Sequence, residues 1–494
     1  MTMAVLFSQE QLLGQLETTV ERTLYAGLAQ GSIFSNLSEE ERSENAQKWL
    51  SWTLGQKNLK AATFKVPTGI LPEHLEGELT DVRVFSRGPD DKVYDQNPLF
   101  RKRVARGNCV LEIRNRKDHS TRADGVIFAL KKFTGGLGDD DDREIGDGFK
   151  YEKYFNQPIE NAERVICTRK MNGEAAHFAV RWMEDDFYII AGSKNVHLLF
   201  RKREEIELYG EPRFQVARDV ARTCFDELQA MKEELRWRLF SFFHHTKFTA
   251  VLEILLPHYQ HVENLSSYAE PALYFISWSK TDFAEGYEED ICVPPDMGQK
   301  VAAAFGLRTT GFESILHKDL KAKLIQIRTA HGTEGQVLYF VDKDQKVIGL
   351  LKKKTIWYII LRAIREKAKN GASKLRRNES SQFDLADTQI RTCKRIREIK
   401  RWLGLDEKAT AEWQDLATGF LKWLAHMFKS KAIKSEELFS LYPVVWANYL
   451  KSAGRTDKIG VTSCSLIDDP DEPHPEAAPQ PEPTDRDGHD QGHS

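Results

Sequence analysis

The sequence has few cysteines and no long apolar run. Its six cysteines are scattered without close pairs, which argues against both a disulfide scaffold and a zinc site. No apolar stretch approaches the roughly 18 residues that a membrane-spanning helix needs, and the N-terminal segment lacks a basic stretch followed by an apolar one. We therefore expect an intracellular protein, cytoplasmic or nuclear, with reduced cysteines and no membrane partner.

Two phosphate-binding patterns are also missing. The chain contains no Gly-x-x-x-x-Gly-Lys-Ser/Thr segment. The glycine-rich segment 135–148 lacks the order of strand, glycine turn and helix that a dinucleotide-binding fingerprint requires, and we interpret it as a mobile loop. The aspartates 139–142 in this loop could bind a metal ion, but runs of like charge repel each other and are usually solvated.

The composition is that of a soluble globular protein, with 41% hydrophobic and 29% charged residues. A chain of 494 residues is long enough for two to three domains. The net charge of -3 hides an asymmetry, because residues 468–490 contain nine acidic residues and one arginine, which leaves about +5 for the rest. We expect residues 461–494 to form a disordered acidic, proline-rich tail.

The first part of the chain reads as helices followed by strands. Residues 8–30 and 38–54 have amphipathic helical patterns, and Ser38 with Glu41 predicts a capping box at the start of the second helix. Strand-like patterns follow from residue 64 to residue 133, and a further helix is predicted over 216–243. Arg106 and Lys132 lie at the ends of two adjacent predicted strands. They could converge on a phosphate, or could belong to an ordinary solvated edge.

The segment Lys170-Met171-Asn172-Gly173-Glu174 joins two predicted strands. Asn-Gly is the strongest short hairpin signal, because both residues tolerate positive φ. The segment therefore predicts a tight turn between paired strands, with Lys170 at its mouth. Two interpretations remain open from these residues alone: a solvated lysine beside a surface turn, or a nucleophile.

Charged residues lie within or directly beside three apolar runs further along the chain. Glu253 lies within the run 248–256, and Glu334 opens the run 332–340. An ionised carboxylate is costly to bury unless a cation, hydrogen-bond donors or a metal compensate it, although Glu253 could also face solvent. Lys352 and Lys354 follow a third apolar run and share one face of a strand, about 7 Å apart, where they would repel each other unless an anion binds between them.

A strongly basic region follows these strands. Residues 352–377 contain ten lysines or arginines and only one acid, Glu366. A helix is predicted from near Trp357, and residues 391–401 place more positive charge on another helix, so the region is typical of a track for a polyanion. Residues 405–453 have helical patterns, which predict a small helical domain.

Seven motifs in order resemble those of the ATP-dependent RNA ligases in the covalent nucleotidyltransferase superfamily, particularly the phage RNA ligase and fungal tRNA ligase branch. The resemblance covers about residues 101–365. The motifs are Ala105-Arg106-Gly107, Lys131-Lys132-Phe133, Lys170 to Glu174, Gly192 to Asn195, Leu252-Glu253-Ile254, Glu334 to Val337, and Lys352-Lys353-Lys354 with Trp357-Tyr358.

The resemblance implies an α+β fold with ATP-grasp-like antiparallel sheets flanked by helices, followed by a C-terminal all-helical domain. We place the N-terminal helical segment at 1–60, the adenylyltransferase domain at 61–370, a helical RNA-binding domain at 371–460 and the tail at 461–494. The expected partner is RNA with 5'-phosphate and 3'-hydroxyl ends, sealed by a monomeric enzyme.

The resemblance also implies catalytic roles. Lys170 would attack the α-phosphate of ATP, Glu253 and Glu334 would hold a hydrated Mg²⁺ or Mn²⁺, and Lys352 and Lys354 would grip the α-phosphate. A nucleophilic lysine must be neutral, which requires lowering its pKa by roughly three units from about 10.4. We expect Lys352, Lys354 and the metal ion to lower it.

Other residues would bind the nucleotide. Arg106 and Lys132 would orient the departing pyrophosphate, Lys194 belongs to the Ser-Lys motif, and Glu174 would serve the nucleotide or the metal shell. Several relatives have aspartate where Asn172 stands, so the resemblance leaves the role of Asn172 open. The candidates for stacking on adenine are Tyr274, Phe275 and Trp278.

The same motifs leave two alternatives open. Other lysine nucleotidyltransferases, namely DNA ligases and GTP-using capping enzymes, normally continue into a strand-rich oligonucleotide-binding fold, whereas here basic helices follow. A catalytically silent RNA-binding protein would have no need of Lys170 together with both glutamates. The chain also lacks the kinase and phosphodiesterase motifs of fungal tRNA ligases, so separate end-healing enzymes would have to supply its substrates.

Overall fold

The structure is a computed structural model that describes residues 4–19, 33–88, 90–136, 139, 151–281, 283, 291–377, 382–461 and 464. The α-helices in these ranges are α1 Gln9–Thr19, α2 Glu39–Leu54, α3 Asp91–Gln96, α4 Pro98–Arg103, α5 Arg203–Ile206, α6 Gln215–Ala230, α7 Glu233–Thr246, α8 Pro295–Ala304, α9 Leu320–Thr329, α10 Ile356–Arg377, α11 Leu385–Leu403, α12 Glu407–Lys429, α13 Ser435–Ser440 and α14 Tyr442–Ala453. The strands are β1 Leu59–Lys65, β2 Leu75–Val84, β3 Asn108–Asn115, β4 Thr121–Phe128, β5 Ala162–Arg169, β6 Glu174–Met183, β7 Asp186–Ser193, β8 Val196–Phe200, β9 Phe248–Leu255, β10 Ala272–Lys280, β11 Phe312–Leu316, β12 Gly335–Asp342 and β13 Val347–Lys354.

The strands form three antiparallel sheets. The first sheet has the order β1-β2-β3-β4, the second β10-β9-β6-β7-β8, and the third β11-β5-β12-β13. Helices flank the sheets, and only helices follow β13 in the described part of the chain. The predicted combination of antiparallel sheets with a helical C-terminal region is therefore confirmed. No described helix is both long enough and apolar enough to cross a bilayer.

Two apolar cores hold the sheets together. The first and second sheets share a core with α6 and α7, in which Leu79, Phe178 and Phe243 are each at most 2% exposed. The second and third sheets share a smaller cluster, which includes Val251 from β9 and Tyr339 from β12. The second and third sheets therefore lie against each other, and the candidate site forms where they meet.

The C-terminal helices have their own core. It is built on Ile360 of α10, Ile396 of α11, Phe420 of α12 and Trp446 of α14, and it also includes Val262 from the loop after β9. Helix α10 is continuous across residue 370, where the sequence suggested a domain boundary, and its apolar face belongs to this helical core. The helical region thus begins directly after β13.

The predicted hairpin at Lys170 is wrong. Strand β5 belongs to the third sheet and β6 to the second, so residues 170–173 form a crossover between sheets. Neither Asn172 nor Gly173 has a positive φ. Gly173 is needed for another reason: a Cβ at this position would collide with the backbone carbonyl oxygen of Ile254 on β9. The close approach of two backbones, not the shape of a turn, requires the glycine.

Other predictions for local structure had mixed outcomes. The capping box is confirmed, with the Glu41 N–H donating to Ser38 Oγ at 3.1 Å and the Ser38 N–H to Glu41 Oε2 at 2.8 Å. The helix predicted over 216–243 is two helices, because the backbone at Met231 and Lys232 is extended. Residues 20–32, most of the predicted loop 135–148 and nearly all of the acidic tail lie outside the described residues.

Candidate active site

Lys170 lies at the junction of the second and third sheets. Its backbone N–H donates to the carbonyl oxygen of Gly335 at 2.9 Å, which continues the pairing between β5 and β12 beyond Arg169. Its Nζ lies 2.7 Å from Glu334 Oε1, and its side chain is 24% exposed whereas that of Glu334 is 5% exposed. The lysine is therefore anchored by its backbone, and its amine reaches a buried carboxylate.

Glu253 and Glu334 bring two carboxylates to this lysine from different sheets. Glu253 lies on β9, and its Oε1 accepts a hydrogen bond from the Gly173 N–H at 3.0 Å. Burial, together with the nearby charge of Glu334, raises the pKa of Glu253 to about 7. Burial also acts to raise the pKa of Glu334, but Lys170 and Lys354 outweigh it, and the pKa of Glu334 is lowered. The predicted compensation of these buried carboxylates by cations and donors is thus present.

The charges around the amine of Lys170 favour its protonated form in the free protein. Burial acts to lower its pKa, but Glu334 and Glu253 outweigh burial, and the pKa of Lys170 is raised. The expectation that cationic neighbours depress this pKa is therefore wrong for the protein without ligands, because the nearest charges are carboxylates. A nucleophilic Lys170 requires that the charge of these two glutamates first be compensated.

Asn172 positions Glu334. Its Nδ2 donates to Glu334 Oε2 at 2.7 Å and to the Tyr358 hydroxyl at 3.2 Å. Its Oδ1 accepts the backbone N–H groups of Val262 and Glu263, each at 2.9 Å. An aspartate could accept the two backbone donors, but it could not donate to Glu334 and would repel it. The amide is thus used fully in holding Glu334 and the loop after β9 in place.

Two further residues near Glu334 and Glu174, namely Glu263 and His261, were not identified from the sequence. Glu263 is 5% exposed, accepts the Glu334 N–H through Oε1 at 2.6 Å and binds Arg169 Nη2 through Oε2 at 2.7 Å. Glu174 is more exposed than Glu263, and its Oε1 lies 3.2 Å from His261 Nε2. Glu263 and His261 lie in the loop between β9 and β10, where no periodic pattern marks them, so the sequence offered no signal for either.

A cluster of cations forms the second part of the site. The Arg106 N–H donates to the carbonyl oxygen of Leu130 at 2.9 Å, which brings Arg106 beside Lys132 as the sequence suggested. Arg106, Lys132 and Lys194 all contact the carboxylate of Asp90. Burial, reinforced by Arg106, lowers the pKa of Lys194 to about 8. Three of the five predicted nucleotide-binding cations therefore converge, and they converge on Asp90, for which the sequence offers no signal.

The lysines at the end of β13 link the two parts. The positive charge of Lys352 helps to lower the pKa of Lys132, and that of Lys354 helps to lower the pKa of Glu334. Lys354 Nζ also donates to the backbone carbonyl of Asp139 at 2.6 Å, and the Asp139 side chain accepts from Arg328 Nη1 at 2.9 Å. Asp139 is completely buried, so the expectation of a solvated aspartate is wrong at this position. Residues 140–142 lie outside the described part of the chain.

Two of the three aromatic candidates for stacking on adenine belong to the core. Phe275 is fully buried and Trp278 is 1% exposed, and both pack among the residues of the first and second sheets. Burial of Phe275 and Trp278 leaves Tyr274 as the remaining candidate of the three. Tyr274 is half-buried and lies opposite Glu253 in the pairing of β9 with β10, which places both side chains on one face.

A buried group of potential metal ligands lies on β2, β3 and β8. Asp81, Cys109 and His197 are the one such group among the described residues. His197 Nδ1 is 2.6 Å from Asp81 Oδ1, and His197 Nε2 is 3.1 Å from His177 Nδ1. Both ring nitrogens of His197 are thus occupied by hydrogen bonds, and the group is better described as a buried polar chain than as a metal site.

The comparisons with known proteins place the chain in a family. The model of a family described as a domain of unknown function, DUF7920, matches residues 81–365. The chain belongs to this family. The DUF7920 segment extends from Asp81 through Arg365 and so contains all the residues of the candidate site. None of the curated proteins matches the sequence.

The chain also has a low similarity to two solved structures of an RNA ligase from Naegleria gruberi. A mutant of that ligase with ATP and Mn is 14% identical, with a TM-score of 0.29, and the match covers 61% of this chain and 97% of the ligase chain. The ligase with PPi is 11% identical, with a TM-score of 0.28, and covers 66% and 100% respectively. TM-scores of this size assign no function to the DUF7920 chain. A function for this chain has to be argued from the geometry of its own candidate site.

Proposed function

We propose that the protein is an ATP-dependent RNA ligase, which joins a 3'-hydroxyl to a 5'-phosphate through a lysine-adenylate and an adenylated RNA end. The observation that carries this proposal is the amine of Lys170, 2.7 Å from the buried Glu334 and beside Glu253 from another sheet. Lys354 acts on the same Glu334 as Lys170, and Lys352 acts on Lys132, which belongs to the cluster of three cations around Asp90. A nucleophile, acidic groups and an anion site are the parts that phosphoryl transfer needs.

In the first step the neutral amine of Lys170 attacks the α-phosphate of ATP. A phosphorus–nitrogen bond forms, the bond from the α-phosphorus to the bridging oxygen breaks, and pyrophosphate leaves with that oxygen. Lys354 would hold the α-phosphate, since it lies close enough to Glu334 to lower the pKa of that carboxyl group. Arg106, Lys132 and Lys194 would hold the departing phosphates, because their positive groups converge.

The carboxylates fit a divalent cation. Glu253 and Glu334 are oxygen donors of the kind that Mg²⁺ and Mn²⁺ prefer. Burial and the charge of Glu334 raise the pKa of Glu253 to about 7 despite the nearby Lys170, so a further cation beside Glu253 would favour its ionised form. A metal ion bound there would supply the positive charge that favours the neutral form of Lys170 and stabilises the phosphates in the transition state.

In the two later steps AMP passes from Lys170 to the 5'-phosphate of an RNA, and a 3'-hydroxyl then displaces AMP to form the phosphodiester. The basic character of α10 and α11 supports RNA as the polyanion, since α10 carries seven basic residues against one acid and α11 six against two. Ends without a 5'-phosphate would need a separate healing enzyme, because the chain has no motif for that chemistry.

Labelling of the protein tests the proposal. The protein is incubated with α-³²P-labelled ATP or GTP and Mg²⁺ or Mn²⁺, then denatured and separated. We expect label from ATP that remains with the denatured chain, and no label on Lys170→Met. Lys117→Met, which changes an exposed lysine outside the site, should label like the unchanged protein.

The outcomes separate the alternatives. No label from either nucleotide would refute the ligase assignment and favour an RNA-binding protein without catalysis. Label from GTP alone would indicate capping chemistry. If ATP labels the protein, sealing assays on nicked duplex DNA, nicked duplex RNA, single-stranded RNA and tRNA halves would distinguish DNA from RNA ligation and identify the preferred substrate.

A further inference from the structure

Asp90 lies where the three cations of the site converge. Its Oδ1 is 3.3 Å from Lys132 Nζ, its Oδ2 is 3.6 Å from Lys194 Nζ, and its Oδ2 also binds Arg106 Nη1. Asp91 adds a second carboxylate, 2.7 Å from Lys132 Nζ. A carboxylate that contacts three cations at once occupies the position that an anionic ligand of those cations would take.

The side chain of Asp90 does not serve its own helix. Asp90 precedes α3 as the N-cap residue, a position where aspartate usually accepts a backbone N–H. Here its φ and ψ are helical and its side chain makes no capping hydrogen bond. The carboxylate points to Arg106, Lys132 and Lys194 instead, which come from other parts of the chain. Its replacement by a neutral residue of the same shape therefore removes no helix cap.

The carboxylates reduce the attraction of the cluster for other anions. Three positive side chains face two carboxylates, so the free cluster has a small net positive charge. A single phosphate group carries about −2 at most and can replace few of the contacts of Asp90 at one time. A polyphosphate can engage all three cations together, and it therefore competes with Asp90 more effectively.

We propose that Asp90 is a specificity-determining residue of the nucleotide site, whose carboxylate occupies the phosphate subsite in the free protein and yields only to a polyphosphate. The inference rests on the proposed function, which assigns these cations to the β- and γ-phosphates of ATP. Asp90 then discriminates ATP and pyrophosphate from AMP and from RNA 5'-phosphates. The selectivity keeps single phosphates out of the subsite before Lys170 is adenylated.

Calorimetric titration of the full chain with inorganic tripolyphosphate and orthophosphate tests the proposal. In metal-free buffer we expect Asp90→Asn to bind tripolyphosphate about tenfold more tightly than the unchanged protein, which corresponds to about 1.4 kcal/mol. Binding of orthophosphate should increase by a larger factor, so that the preference for tripolyphosphate falls. Asp226→Asn, which removes an exposed carboxylate paired with Arg203, should leave both affinities unchanged.

Several results would overturn the proposal. Unchanged or weaker binding of tripolyphosphate by Asp90→Asn would show that Asp90 orients the cations and does not compete with the ligand. Weakening only when Mg²⁺ is present would assign Asp90 to a metal-bound phosphate. Asp90→Ala, checked by circular dichroism, must shift the affinities in the same direction as Asp90→Asn, since a fold defect in one variant would not be shared by both.

The labelling experiment separates this inference from the proposed function. If Lys170 is labelled by ATP but Asp90→Asn gains no affinity, the ligase assignment stands and the inference fails. If Asp90→Asn gains affinity but no label forms on Lys170, the anion site stands and the ligase assignment fails. Absence of tripolyphosphate binding in both proteins would refute the anion site altogether.

Discussion

At the scale of single residues, burial and neighbouring charges set the pKa values of the groups in the site. Lys170 lies beside two glutamates. Lys170 and Glu334 stabilise each other's charged forms, since the pKa of Lys170 is raised and that of Glu334 is lowered. Glu253 is left with a pKa raised to about 7 by burial and by Glu334. The free protein therefore holds one carboxylate that resists ionisation near neutral pH, which gives the site a measurable pH dependence.

The first prediction concerns Glu253→Gln in metal-free buffer. A carboxyl group with a raised pKa in the folded state contributes stability that is full below its unfolded pKa of about 4.3 and is lost as the pH rises through its folded value. The folded value is about 7. The free energy of unfolding of Glu253→Gln, minus that of the unchanged protein, should therefore increase between pH 5 and pH 8, by at most about 3 kcal/mol. Urea unfolding at several pH values in EDTA measures this difference.

The control is Glu160→Gln, which removes an exposed carboxylate on a short 3₁₀ helix. Its difference from the unchanged protein should stay flat over the same pH range. Mg²⁺ should reduce the advantage of Glu253→Gln at pH 8, since a cation compensates the ionised carboxylate. A difference for Glu253→Gln that does not change with pH would contradict the electrostatic description of the site.

At the scale of secondary-structure elements, the crossover from β5 to β6 is the feature that creates the site. It brings the end of the third sheet against β9 of the second, where Glu174 on β6 pairs with Ile254. A Cβ at Gly173 would collide with the carbonyl oxygen of Ile254, and backbone can yield less than a flexible side chain. We expect Gly173→Ala to lower the free energy of unfolding by about 2–4 kcal/mol.

Thermal unfolding of matched glycine variants checks this expectation. Gly210→Ala is the control, because a Cβ there would meet nothing within 4 Å and its φ is not positive. Its stability should change by less than about 1 kcal/mol. A stability of Gly173→Ala similar to that of Gly210→Ala would mean that the strands are less closely packed at the crossover than the structure shows.

The crossover also shows what local sequence can predict. The strands at 248–255 and 347–354, and the capping box at Ser38, were predictable because each depends on neighbouring residues. The pairing of strands was not, because Asn172 and Gly173 give the same local signal in a hairpin as in a crossover between sheets. Their actual roles come from contacts with Glu334 and Ile254, which are distant in sequence.

The same distinction applies to the site. Glu253 and Glu334 could be found because charged side chains are unusual in apolar strands, and Lys170 because its segment belongs to the series of seven motifs. Asp90 and Glu263 lie outside strands, where a carboxylate is ordinary. Asp90 acquires its importance only through Lys194 and other residues far along the chain, and Glu263 through the backbone of Glu334. Reading by periodicity cannot detect such contacts.

At the scale of the whole molecule, the candidate active site and the proposed polyanion-binding surface belong to different regions. The candidate site is built from loops and strands of all three sheets, whereas the basic residues continue into helices with a separate core. On α11, Lys394, Arg397 and Arg401 are exposed, and their spacing of three and four residues places them on one face. Such a face can contact successive phosphates of an RNA without touching the nucleotide.

Replacement of these three residues by alanine should therefore separate the two activities. Labelling of Lys170 by ATP should be unchanged, because no residue of the site is altered. RNA binding should weaken, and the slope of log affinity against log salt should decrease by about 2, since each phosphate contact to a single strand contributes about 0.7. Filter binding of a 5'-phosphorylated RNA across a series of salt concentrations measures the slope.

The matched control replaces Lys65, Arg114 and Lys117, three exposed basic residues on or beside the first sheet. It removes the same charge, so a loss of affinity caused only by net charge would appear equally in both variants. We expect the slope of log affinity against log salt to decrease in the α11 variant alone. Equal slopes for the two triple variants would show that the RNA does not contact this face of α11, and would leave the basic residues of α10 as the place to look for the contact.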